Sequence, residues 1–305
     1  MFLGWFDGDT RMSSSATWKE TSDKALTAHW TNVTNTYAFD AGDGTCSTES
    51  MVIGWEDSYE LPTPTCPDGF EFDGWYLGET FVPQTGSWTY SNSGGTLVAK
   101  YYDKHIKITY ESKIELSSGT RSGYAAAYNP STEGTEHYVV PEVYHGSPVI
   151  ALKCFSRANT ISITIPESVL LISGLFSDYP VPTFKEIIYI GTVDSWMKLE
   201  GKSNLYYYNN DIDIHLFLDG TSNETTNLIC PSTTKIKNYA FSHCSSLETI
   251  TISGEATWYN DQGEHLFDRC SSLANIYYGG TIEQWESHYV TASCAVICSD
   301  GVLNP

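Results

Sequence analysis

The sequence predicts a mainly β chain in which small strand-rich repeat modules lead into a solenoid of strand-and-turn rungs. Three offsets predict it. Phe241, Cys244, Leu247 and Ile250 return as Phe267, Cys270, Leu273 and Ile276, each 26 residues later. Phe2-Leu3-Gly4-Trp5-Phe6-Asp7-Gly8 is answered by Phe72–Gly78 at an offset of 70, and Trp18 by Trp88. Tyr189–Trp196 is answered by Tyr278–Trp285 at an offset of 89. In-frame units of roughly 20–50 residues mark stacked architectures, where each unit buries its apolar side against the next.

The totals bound the rest. A length of 305 residues predicts two or three domains with ample core. At 41% hydrophobic and 17% charged, the composition is that of a folded chain. Sixteen basic against 37 acidic residues give a net charge of −21. Such a polyanion repels phosphate backbones and anionic lipid, so no nucleic-acid partner is expected. No apolar run reaches the roughly 18 residues of a spanning helix, and no membrane insertion is expected. Met1–Phe6 lacks the basic start and apolar segment of a signal peptide, which leaves an intracellular chain or a missing N-terminus, the second being expected.

Residues 1–31 read as the C-terminal part of a truncated repeat of about 70 residues, because half a module cannot bury its own core. Further copies upstream are the expectation. Residues 32–103 read as a complete copy. Thr36–Ala41 alternates as a strand and is turned by Gly42-Asp43-Gly44. Met51–Trp55, Phe70–Tyr76 and Thr96–Tyr102 are further strands, whereas Leu61-Pro62-Thr63-Pro64-Thr65 cannot lie inside a sheet. Asp40 and Asp43 lack the alternating oxygen ligands and closing Glu of a calcium loop, so they read as a solvated turn. Trp5, Trp18, Trp75 and Trp88 hold fixed repeat positions and read as packing residues rather than a sugar-binding face. The run Gly69-Phe70-Glu71-Phe72-Asp73-Gly74-Trp75-Tyr76, closed by Leu97-Val98-Ala99-Lys100-Tyr101, resembles the Listeria–Bacteroides repeat (the internalin B-type repeat). That resemblance implies a small β-grasp-like module, used in tandem as a spacer on bacterial surface proteins.

Residues 104–136 read as a connector that caps the solenoid, with strands over His105–Glu115 and Tyr124–Tyr128 and a turn-rich break at Ser117–Ser122. Residues 137–305 read as the solenoid. Its rungs share a strand ending in Pro, then an aliphatic residue, then a Phe. Ile163–Pro166 leads to Ile172 and Phe176, Leu228–Pro231 to Ile236 and Phe241, and Tyr138–Pro141 to Leu152 and Phe155. Proline closes each strand because it lacks the N–H that would continue a ladder. Units of 21 to 26 residues fit the leucine-rich-repeat range. Thr192 and Thr281 are predicted N-caps of short helices carrying Trp196 and Trp285. Strands ending in Asp-Gly follow, at Ile212–Gly220 and Cys294–Gly301. The solenoid is expected to be irregular around Lys202–Asn210. Ala240–Ile252, Ile165–Val169 and the Tyr-x-Gly-Thr…Trp units resemble the BspA-like leucine-rich repeats of bacterial surface proteins, over about Tyr138–Leu303. The resemblance implies binding to host matrix proteins or other cells.

No chemistry is legible. The eight His form no His-x-x-x-His pair, Cys294 and Cys298 lack a second ligand pair, and no nucleophile or phosphate-loop motif occurs. No catalytic residue, metal or cofactor is expected. Cys244 and Cys270 read as buried thiols, and Cys46 and Cys66 are the pair best placed for a disulfide, though free thiols remain the preferred reading. The candidate site is the strand face. If Ile250 and Ile252 point inward, Thr249 and Thr251 point outward on the concave sheet, because side chains alternate. The same parity selects Ser162, Thr164, Ile188, Ile190, Asn275 and Tyr277, a nearly uncharged stripe suited to an extracellular protein or glycan. A solvated stripe with no partner is the competing reading. Tyr206-Tyr207-Tyr208 is a second candidate patch, set against packing under its loop. The expected function is non-enzymatic binding or adhesion by a monomer that is secreted or displayed on a bacterial surface. A structural spacer is the alternative, and a glycan-processing enzyme is the least favoured.

Overall fold

The computed structural model describes residues 2–12, 17, 23–90, 93–133, 135–155, 159–174, 183–203, 212–258 and 265–305. Trp18, Phe176 and Tyr206–Tyr208 lie outside them. The chain forms two compact units, one of Met1–Asp68 with Phe72–Tyr101, the other of Gly69–Glu71 with Tyr102–Pro305.

In the first unit a five-stranded sheet runs in the order Ser50–Gly54, Thr34–Asp40, Gly95–Asp103, Phe70–Leu77, Thr80–Val82. The first and last long strands lie parallel at its centre, with Tyr37 opposite Gly95 and Asp40 opposite Val98. Thr34–Asp40 pairs antiparallel with Ser50–Gly54 on its other side, and Phe70–Leu77 pairs antiparallel with Thr80–Val82; this unit has no helix among its described residues. Trp75 and Trp88 are fully buried. The Trp88 indole donates to Tyr37 Oη at 3.1 Å and the Trp75 indole to the Pro62 carbonyl at 2.8 Å, so each buried N–H is satisfied. The Pro-bearing 61–65 segment adds no strand to the sheet; it meets it through the Trp75 bond to Pro62 and forms an isolated bridge from Thr65 to Thr45. Cys46 and Cys66 beside it are free thiols, not a disulfide. Phe2–Asp7 pairs with Thr10–Arg11 and Thr27–Trp30. Trp5 there is 51% exposed although its repeat equivalent Trp75 has no exposure. The expectation of a packing residue is corrected for Trp5 as regards a core: among the described residues its ring meets Phe2 edge-on, with centroids 5.9 Å apart.

The second unit opens with a hairpin, Ile106–Leu116 against Gly119–Tyr128. Its turn is shorter than the Ser117–Ser122 break expected, because Gly119, at φ +122°, allows the chain to reverse at once. Gly119–Tyr128 runs parallel to Ser147–Leu152, which pairs with Leu171–Ile172. Ile106 and Ala126 join the same core as the rungs.

Two parallel ladders follow. The first is His137–Val139, Ser162–Pro166, Glu186–Gly191 and Asp213–Leu218. The second is Asn227–Cys230, Thr249–Ile252, Asn275–Tyr278 and Ala295–Cys298, closed by antiparallel Gly301–Leu303. Alternation decides the inward rows. Tyr138, Ile163, Ile187 and Ile214 stand in register, as do Leu228, Ile250, Ile276 and Val296, and all are buried. Burial of an aliphatic side chain is worth about 1.5–3 kcal/mol, so these rows hold the rungs together.

At the corner, Phe241 and Phe267 stack with centroids 5.8 Å apart and planes 12° apart. His243 (φ 65°) and Arg269 (φ 59°), which share one repeat position, take the left-handed conformation that turns the chain. Neighbouring corners are bonded: the His243 N–H reaches the Asp268 carbonyl at 2.7 Å, and the Cys270 thiol donates to the Phe241 carbonyl at 3.0 Å.

Thr192 and Thr281 cap helices Val193–Lys198 and Ile282–Ser287, each through a reciprocal capping box. Thr192 Oγ1 accepts the Ser195 N–H at 3.1 Å, and Thr281 Oγ1 accepts the Gln284 N–H at 3.2 Å. Each helix presses its tryptophan onto the preceding tyrosine, at 4.9 Å for Tyr189–Trp196 and 5.2 Å for Tyr278–Trp285. The Asp-Gly turns after the two helices, Asp219-Gly220 and Asp300-Gly301, are 81 residues apart, whereas the helices are 89 apart. The surplus of eight residues in the first of these two repeats lies between Lys198 and Asp213.

Candidate binding surface

The outward side chains of the ladders form rows, because parallel pairing in register places like positions side by side. In the second ladder one row reads Ile229, Thr251, Tyr277, Ile297. Val302 extends it across the antiparallel pair with Ile297. Ile229 is 71% exposed, Tyr277 42% exposed, and Thr251 and Val302 are exposed as well. In the first ladder the corresponding row reads Val139, Thr164, Ile188, His215, with Val139 exposed and Thr164 and Ile188 half-buried. A further row holds Pro166, Ile190 and Phe217, with Ile190 exposed.

The predicted residues divide accordingly. Thr251 and Tyr277 are adjacent, and so are Thr164 and Ile188. Thr249 and Asn275 are half-buried neighbours in a polar row with Asn227, where the Thr249 hydroxyl donates to Asn227 Oδ1 at 2.6 Å. Ser162 departs from the expected exposure. It is 3% exposed, and its hydroxyl lies 2.7 Å from His137 Nδ1. Ser162 begins its strand, and the neighbouring strands' His137 and Glu186 flank it there, so strand parity alone does not decide exposure. The eight residues fall on two separate ladders rather than one stripe.

Val139, Ile229 and Val302 belong to the surface and were not among the predicted residues. The signal was present: the same alternation in Tyr138-Val139-Val140 and Leu228-Ile229-Cys230 places Val139 and Ile229 outward.

The surface carries few charges. His215 sits in the first ladder's row, 2.9 Å from Glu224. The thiols face inward: Cys230 and Cys270 are pushed up to about 12 by burial, and Cys244 well above its usual range for the same reason. No cluster of three or more His, Cys, Asp or Glu able to hold a metal occurs among the described residues. No helix among them is long and apolar enough to cross a membrane.

Residues 206–296 match the BspA type Leucine rich repeat region in six copies. Over that stretch, the chain is similar to the BspA-type leucine-rich repeats. The match holds the strands Asn227–Cys230, Thr249–Ile252 and Asn275–Tyr278, and with them Ile229, Thr251 and Tyr277. A solved leucine rich repeat protein from T. pallidum is similar at 15% identity, covering 56% of this chain and 68% of that chain, with a TM-score of 0.29. No curated protein matches the chain.

Proposed function

We propose that this chain is a non-enzymatic binding protein that holds a protein or glycan partner on the outward row Ile229, Thr251, Tyr277 and its neighbours. The observation that carries this reading is the exposure of large apolar side chains in register on a rigid ladder. Ile229 and Tyr277 stay in solvent where the same β-sheet architecture buries Leu228 and Ile276 one residue away, and Val302 is exposed at the end of the same row. A contiguous apolar patch on a folded surface is the usual mark of a protein partner, and a ladder presents it without ordering cost. The repeat family points the same way, since solenoids present extended surfaces rather than catalytic clefts.

On this reading residues 137–305 are the binding region, 104–136 its cap, and 1–31 and 32–103 spacer modules of the Listeria–Bacteroides type. On the same reading the protein acts outside the cell, secreted or displayed on a bacterial surface, as a monomer. The chain is immobilised and exposed to matrix proteins, mucin and intact bacterial cells. Saturable binding to one of them, absent from a surface carrying residues 1–103 alone, is the expected result. Equal binding by both surfaces, or none by either, would contradict the proposal.

A further inference from the structure

The chain is strongly acidic, yet one concave region of the second unit is basic. Two adjoining depressions share Ser117, Glu200 and Lys237. The larger has a volume of about 440 Å³. Arg121, Lys198, Lys202, Lys235 and Lys237 line the pair, five of the chain's 16 basic residues, against Asp194 and Glu200 of its 37 acidic ones. Random placement on a chain of net charge −21 would give the opposite balance.

The two carboxylates are already engaged. Asp194 pairs with Lys198 one helical turn on. Glu200 accepts the Ser117 N–H at 3.0 and 2.9 Å and the Ser117 hydroxyl as well. Lys202 forms part of the floor. It is buried, and its ammonium donates at 2.7 Å to the carbonyls of Trp196 and Leu199 at the helix end, 4.9 Å from the Trp196 ring centroid. Burial first, and then the charge of Lys237, push Lys202 down to about 7. With Asp194 matched by Lys198, Glu200 is left among Arg121, Lys235 and Lys237, so the lining itself keeps a net positive charge without counting Lys202. The remaining lining is rich in hydroxyls: Ser117, Ser118, Thr233 and Thr234. It includes Tyr239 as well, whose ring stacks on His265 at 5.0 Å.

We infer that this cleft binds a small oxyanion on a polyhydroxyl scaffold, that is, a carboxylated or sulfated sugar. Arg and Lys supply the charge-assisted donors that a carboxylate or sulfate accepts, and the hydroxyls suit a sugar ring. A cavity of this volume holds a mono- or disaccharide rather than a polymer. The site lies against the short strands Leu171–Ile172 and Lys235–Ile236, not on the outward ladder row, so it does not rest on the function proposed above.

The test is titration of the full chain with glucuronate, with a sulfated glucose and with neutral glucose at constant ionic strength, read by amide chemical shifts. Saturable shifts confined to the cleft with either anion, and none with glucose, are expected; the stronger of the two identifies the oxyanion. Arg121→Met with Lys237→Met weakens binding at least about tenfold. Lys107→Met with Lys113→Met, an equal charge loss on the hairpin, leaves it unchanged. Saturation by neither anion, equal saturation by glucose, or unaltered binding in the folded Arg121/Lys237 variant would overturn the inference.

Discussion

Single residues carry two consequences of burial that can be measured. His243 occupies a corner, takes φ 65°, and its Nδ1 lies 2.8 Å from the Ile212 carbonyl, so Nδ1 carries the proton. Burial holds its pKa below the usual value, and the Ile212 carbonyl opposes that shift only in part. The unfolded chain therefore binds a proton more readily than the folded one as pH falls through the ordinary His range. Stability from this residue is complete above about pH 6.5 and is lost below it. The urea midpoint should drop between pH 7 and 5, and less steeply in His243→Asn; an unchanged slope would show that His243 is not the titrating group. The thiols give a second readout. With Cys230, Cys244 and Cys270 buried and held protonated, iodoacetamide at pH 8 should leave all three unlabelled in the native protein and label them in urea. Native labelling at the rate of a free thiol would mean that the rungs open readily.

At the scale of the element, the strength of the solenoid lies where rungs touch. Gly254 and Gly279 meet backbone to backbone: a Cβ on Gly254 would sit 2.7 Å from the Gly280 nitrogen, and one on Gly279 would sit 2.8 Å from the Gly254 nitrogen. Backbone cannot swing aside as a side chain can. Gly254→Ala should therefore cost about 1–3 kcal/mol, the usual penalty of overpacking, read as a lower urea midpoint with unchanged slope. No loss would mean that neighbouring rungs can separate freely. The strands and helix caps of this unit were legible in the sequence, because alternation of Ile with Thr, terminal Pro and the Thr-x-x-[Ser/Gln] caps are local signals. What was not legible depended on neighbours distant in the chain. Ser162 has the parity of an outward residue, yet His137 and Glu186 of adjacent strands cover it. Trp5 has the motif of a core tryptophan, yet it is 51% exposed on its three-stranded sheet. The basic cleft joins residues from Arg121 to Lys237, and no sequence spacing announces it.

For the whole molecule, charge and shape divide the labour. The acidic surface keeps the chain soluble and repels other polyanions. The outward ladder row is largely apolar and nearly uncharged, and its Ile229, Thr251 and Tyr277 lie in the stretch similar to BspA-type repeats. If this row is the contact surface, the direct test is a comparison of binding by the natural chain with that of Ile229→Asp/Tyr277→Asp, once a saturating partner is in hand. Both side chains are exposed, so the variant should keep its circular dichroism and its urea midpoint. Removal of two central apolar contacts and introduction of two charges should weaken binding more than tenfold. Unchanged affinity in a folded Ile229→Asp/Tyr277→Asp chain would show that this row is not the contact surface.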